Sequence, residues 1–127
     1  MDRIALAFAG IAGALAVAGD AAAAHLLAGD AYRMELAQTA ARYALVHAAA
    51  LLALGLWLRQ AAHGQRACLA VALGSFIGGL VLFCGRLGLI AGGFSPGLAR
   101  AVPLGGTLFI LGWLAVFVAA VLPRRSA

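Results

Sequence analysis

Four continuous apolar runs dominate the chain: Ile4 to Leu27, Tyr43 to Leu58, Ala67 to Ala91 and Val102 to Leu122. A helix needs about 20 apolar residues, within a range of about 17–25, to cross a hydrocarbon core about 30 Å thick. The first, third and fourth runs reach that length. The second does so only if it starts near Thr39, which brings Arg42 just inside the boundary. The runs are unbroken rather than alternating as barrel strands are, and lipid requires every backbone group to be satisfied internally. The pattern predicts an all-α integral membrane fold, an antiparallel bundle of four transmembrane helices. It forms a single domain over 1–127, with helices at about 4–27, 40–58, 67–91 and 102–122.

The connecting stretches are short. Ala28 to Ala41 holds most of the acids and places Tyr32, Leu36 and Thr39 at helical spacing. This predicts a short interfacial helix between helices 1 and 2. Arg59 to Arg66 reads as a tight polar turn, and Gly92 to Gly97, containing Pro96, as a loop. Pro103 stands near the start of the last helix, where its missing N–H costs nothing. A charged start (Asp2-Arg3) and the small residues Ala21 to Ala24 also resemble a signal peptide. The apolar stretch is longer than the usual ~7–15 residues of such a leader, so an uncleaved helix is expected.

Composition explains why these runs belong in lipid. Hydrophobic residues make up 65% of the chain and charged ones 10%, against about 45–50% and about 25% in an ordinary globular domain. A small soluble domain buries only ~60–70% of its unfolded surface and could not hide this much apolar area. The first partner is therefore the lipid bilayer. Nine arginines oppose four acids, but they are scattered singly between apolar runs, apart from Arg124-Arg125. That pattern fits interface anchors rather than a nucleic-acid patch. Arg-only, Ala-heavy usage suggests a GC-rich bacterial genome and hence a bacterial inner (plasma) membrane. With four spans, Arg3, Arg59, Arg66, Arg124 and Arg125 share one side, and Arg33, Arg42, Arg86 and Arg100 share the other with three of the acids. The positive-inside rule then puts both termini in the cytoplasm.

Lipid tails are as apolar as Leu, so helix association must rely on close approach through small residues. Ala5, Ala9 and Gly13 recur at four-residue steps on the first helix, Ala70, Gly74 and Gly78 on the third, and the fourth offers Gly105, Gly106 and Gly112. These are the expected helix-packing positions, within the chain or against other membrane protein subunits. Cys68 and Cys84 are sixteen residues apart on one helix, about 24 Å at a rise of ~1.5 Å per residue. That is too far for a disulfide, and they read as buried structural thiols.

Candidate chemistry rests on polar groups at membrane depth. His25 lies near the outer end of the first helix, with Asp20 before it; Arg42, Tyr43 and His47 fall within two turns of the second. Tyr43 and His47, at i and i+4, share a face. An up-down hairpin would bring His25 and His47 to one membrane surface, giving an interior cluster of His25, Tyr43 and His47 with Asp20 or Arg42 at its rim. Two readings follow. Either these groups hydrogen-bond across helices and fix their register, or the imidazoles bind a ligand, a metal or a proton. No HExxH or close His pair supports a metal. Arg86 is expected to extend outward or to pair with Asp20 or Glu35. The phosphate-binding, nucleophile-elbow and dinucleotide motifs do not occur, so no catalytic residues and no cofactor are assigned. Small multidrug transporters rely on a Glu midway along their first helix, where this chain has Gly13-Ala14-Leu15.

Thr39 to Ala48 resembles the T-x-x-x-Y-x-x-x-H segment of the domain-of-unknown-function family 423, a small bacterial inner-membrane family related to the eukaryotic transmembrane protein 256. Val102-Pro103-Leu104-Gly105-Gly106 through Gly112-Trp113 resembles its P-x-G-G…G-W segment, and His25 matches the histidine ending its G-A-F-G-A-H motif. The chain departs from the pattern at Asp20 to His25, where both glycines and the aromatic are lost. It departs again at Gly85-Arg86-Leu87-Gly88, where the family tends to have G-S-L-Y. The resemblance implies a multi-pass membrane protein and no particular activity. The expected role is a non-enzymatic packing or accessory component of a larger membrane assembly. The alternatives are a small carrier or channel using the His/Tyr cluster, and a quinone- or lipid-binding module.

Overall fold

Alanine and leucine, which lose least on entering a helix, fill each apolar run, and the chain folds accordingly into helices. The structure is a computed structural model that describes residues 1–94, 97 and 101–123. It contains α1 (Asp2–Leu26), α2 (Ala31–Gln60), α3 (His63–Ala91) and α4 (Ala101–Val121), each long and apolar enough to cross a membrane. Ser95, Pro96 and Arg100 of the expected loop, and Arg124 and Arg125, lie outside the described residues.

The second helix departs from expectation. Residues 31 to 60 form one continuous helix of 30 residues, so the stretch expected as a separate interfacial helix is the first turns of α2. No Gly or Pro lies between Ala31 and Arg42 to end the helix. Asp30 caps it, its Oδ1 accepting from the Arg33 N–H at 3.1 Å. At ~1.5 Å per residue α2 is about 45 Å long, well beyond a hydrocarbon core of about 30 Å.

At the other end of α2 the expected polar turn shrinks to Ala61 and Ala62. Gln65, in the first turn of α3, is buried. Its Oε1 accepts from the Ala62 N–H at 3.2 Å and its Nε2 donates to the Ala119 carbonyl at 3.1 Å. One side chain thus caps α3 and ties it to the end of α4.

Contact order fixes how the helices pair. Arg59 reaches Asp2 at 3.3 Å, Gly55 faces Leu6, and Ala48 faces Gly13, so residue numbers fall along α2 as they rise along α1. Between α3 and α4 phenylalanines alternate with glycines. Phe76 packs on Gly112, Gly79 on Phe109, and Phe83 on Gly105. A Cβ on Gly79 would lie 2.5 Å from the Phe109 ring, and one on Gly105 would lie 2.5 Å from the Phe83 backbone nitrogen. Rings seated in glycine notches maximise dispersion contact where no hydrophobic drive joins the helices.

Of the expected packing positions, Ala5 and Ala9 are buried, and Gly13, Gly78, Gly105, Gly106 and Gly112 face neighbours. Gly74 is exposed with open space above it, and Ala70 is only half-buried. The face that α3 buries runs through Leu69, Ala72, Phe76 and Gly79. Position 74 lies almost opposite Phe76 on a helix of ~3.6 residues per turn.

Within α3, residues Leu80–Gly85 form a π-helical segment between α-helical stretches His63–Gly79 and Arg86–Ala91. Arg86, immediately after it, is buried rather than extended outward, while Asp20 and Glu35 are exposed. The helix ends in a Schellman turn. The Phe94 N–H donates to the Leu89 carbonyl and the Gly93 N–H to the Ile90 carbonyl, both at 3.0 Å, with Gly93 at φ +88°.

Candidate functional site

Two features stand out among the described residues: a histidine enclosed by aromatic rings, and an apolar groove with one arginine at its end.

His47 is 3% exposed. Its ring stacks on Phe109 with centroids 3.6 Å apart, meets Phe76 edge-on at 5.1 Å, and lies 6.1 Å from Trp113. Its Nδ1 is 2.8 Å from the Tyr43 carbonyl oxygen. A carbonyl only accepts, so Nδ1 carries the hydrogen and Nε2 presents a lone pair. That Nε2 is buried with no hydrogen-bond partner among the described residues.

The expected cluster is brought together only in part. Tyr43 and His47 stack at 6.3 Å, with Tyr43 also against Phe83 and Phe109. His25 and Asp20 are exposed on α1, and among the described residues no hydrogen bond or ring contact joins them to Tyr43 or His47. Arg42 is exposed and donates from Nε to the Gln38 carbonyl of its own helix at 3.3 Å. The reason is register. Leu6 against Gly55 and Gly13 against Ala48 place His25 at about the level of Leu36, about 16 Å along the axis from His47. No group of three or more His, Cys, Asp or Glu that could hold a metal occurs among the described residues.

The groove lies further toward the start of α2, its wall residue Ala40 seven positions before His47. It encloses about 780 Å³ between α1, α2 and α3, within the ~300–1,000 Å³ typical of ligand sites. Its α1 wall runs from Phe8 to the C-cap Leu27, with Ala12, Ala16, Gly19 and Ala23 set among larger residues such as Leu15 and Leu26. Ala37, Ala40, Ala41 and Ala44 form the α2 wall, and Leu80, Cys84, Gly85 and Gly88 the α3 wall. Small residues recur on each facing helix, so the backbones come near but too little side chain fills the space between them. No Cβ contact exists at Gly19 or Gly88, which open directly into that space.

The stretch walled by all three helices runs from Arg33 to Ala44 on α2 and from Leu80 to Gly92 on α3. At ~1.5 Å per residue this is about 17 Å, close to half of a ~30 Å hydrocarbon core. Arg33 is the charged residue in the lining and stands at the end nearest the α1–α2 turn. Its Nε donates to the Ala91 carbonyl at 2.7 Å, satisfying one of the last carbonyls of α3 and adding positive charge where the helix dipole is negative. Asp30 Oδ2 lies 4.0 Å from the same nitrogen.

The sequence marked neither Arg33 nor the groove. The Ala and Gly stripes were visible, but the same stripe serves close packing and a gap equally well.

The model of a family described as "Protein of unknown function (DUF423)" matches residues 18–106. That span holds the whole of α2 and α3, Arg33, and the Tyr43–His47 pair. No solved structure matches the chain.

Proposed function

The chain belongs to the DUF423 family of proteins of unknown function, and from that premise we propose that it is a non-enzymatic membrane module that holds the hydrocarbon chain of a membrane amphiphile. The observation that carries this reading is the groove, apolar on three sides and about 780 Å³ in volume, whose stretch walled by all three helices is about as deep as one leaflet. A chain lying there replaces the contacts that the small wall residues leave unmade. The rings packed around His47 (Tyr43, Phe76, Phe109 and Trp113) carry no formal charge, so a carrier or channel through that point has less support.

The proposed frame is an antiparallel four-helix bundle in a bacterial inner membrane with both termini cytoplasmic. The opposing contact order of α1 with α2 and of α3 with α4 supports the up-down arrangement. Arg3, Arg59 and Arg66 lie at the terminal end and Arg33, Arg42 and Arg86 toward the other; adding Arg100, Arg124 and Arg125 by their place in the sequence gives five against four, the margin on which the orientation rests. The groove then opens toward the outer leaflet, with Arg33 at headgroup depth.

The test is native mass spectrometry of protein extracted with its lipids. One amphiphile per chain should survive a detergent exchange that strips loosely associated lipid. The Gly19→Leu/Gly88→Leu double variant should remain folded, since both Cβ positions are open, and should lose that molecule. Ala120→Leu, on the exposed face of α4, should keep it. Equal retention in wild type and double variant overturns the reading. So does a copurifying polypeptide whose release depends on the groove, which would favour a packing subunit.

A further inference from the structure

The geometry points to an anionic headgroup at the mouth of the groove: Arg33 selects a phosphodiester or carboxylate amphiphile over a zwitterionic one. This rests on the chain-binding reading above and names the ligand class for the same site.

Three observations carry it. First, the charged residue lining the groove is a cation set at one end of a leaflet-deep apolar trough. An amphiphile whose chain fills the trough must therefore place its headgroup beside the guanidinium. Second, that guanidinium is already positioned. Nε is committed to the Ala91 carbonyl at 2.7 Å, and the backbone of Gly93 comes so near that a Cβ there would lie 3.3 Å from Nη2. Ordering it on ligand binding therefore costs little side-chain entropy. Third, among the described residues the N–H donors of its two terminal nitrogens remain available beyond the Nε bond, and the side chain is 36% exposed. That planar fork matches an oxyanion; a phosphatidylcholine headgroup carries the same phosphodiester but sets a quaternary ammonium beside the guanidinium, and the like charges repel. Asp30, 4.0 Å from Nε in an ion pair, offsets part of the charge, but its Oδ1 is engaged by the Arg33 backbone N–H and the carboxylate sits on the Nε edge rather than at the terminal nitrogens.

Full-length protein in a neutral detergent is titrated with phosphatidylglycerol, oleate and phosphatidylcholine of matched chains, and occupancy is read by native mass spectrometry. Wild type should retain the better anionic amphiphile about tenfold or more over phosphatidylcholine, whose quaternary ammonium meets the guanidinium as a like charge. Whichever of phosphatidylglycerol and oleate is held more tightly identifies the oxyanion as phosphodiester or carboxylate. Arg33→Gln should bring anionic and zwitterionic occupancy to parity while phosphatidylcholine binding stays, and Arg33→Lys should recover part of the preference. A second readout needs no variant: the wild-type preference should shrink as salt rises. Parity in wild type overturns the headgroup inference while leaving the groove reading intact. Undiminished binding of all three amphiphiles to Gly19→Leu/Gly88→Leu overturns the groove reading itself.

Discussion

The imidazole of His47 lies flat on the ring of Phe109, with centroids 3.6 Å and planes 19° apart. Phe109 in turn fills the notch at Gly79, so one stack connects α2, α4 and α3. What His47 contributes here is ring area and shape more than a titrating group.

His47→Phe should therefore cost under about 1.5 kcal/mol, because a ring of similar volume keeps the stack. His47→Ala should cost about 2 kcal/mol or more, since it empties a buried site. Thermal unfolding of both variants in detergent measures the difference. A loss with Phe as large as with Ala would mean that the imidazole nitrogens matter more than the ring.

The alternation of phenylalanine and glycine makes a second forecast. Gly105→Leu should separate α3 from α4, because its Cβ would meet the backbone of Phe83, and should yield aggregated or poorly expressed protein. Gly74→Leu, into open space, should leave stability unchanged or raise it through better helix propensity. Size-exclusion profiles and melting temperatures distinguish the two.

The proposed orientation predicts which turns are reached from which side. In a background with Cys68 and Cys84 changed to Ala, His63→Cys should react with a membrane-impermeant maleimide only in inside-out vesicles. Gly29→Cys should react only in intact spheroplasts. Both positions are exposed. The reverse labelling would invert the topology and place Arg33 in the inner leaflet.

Much of this architecture was legible from residues alone, since continuous apolar runs and Gly or Pro breaks mark spans with little ambiguity. The start of α2 was not. Arg33, Glu35 and Gln38 make its first turns look like a connector, yet a helix longer than the bilayer carries polar residues at no penalty where it projects. Starting α2 about nine residues late also draws His25 from the level of Leu36 to that of Arg42, within about 8 Å of His47 along the axis, which favours the expected histidine pair. Tyr43 and His47 survived because i,i+4 spacing does not depend on register between helices. The groove stayed hidden because a stripe of alanine and glycine specifies how near two backbones can come, not whether a third helix fills what they leave.

The π-helical segment Leu80–Gly85 sets the aim of everything after it. A single residue accounts for about 100° of helical rotation. Deleting one residue there would turn the bulge into ordinary α-helix with Gly88 and Ala91 still facing the trough, whereas reverting to α-helix at constant length would swing both off it. Phe76, upstream of the bulge, would stay seated in its notch. The extra residue held in that wide turn thus acts as a spacer, shed by deletion without re-aiming the wall downstream of it.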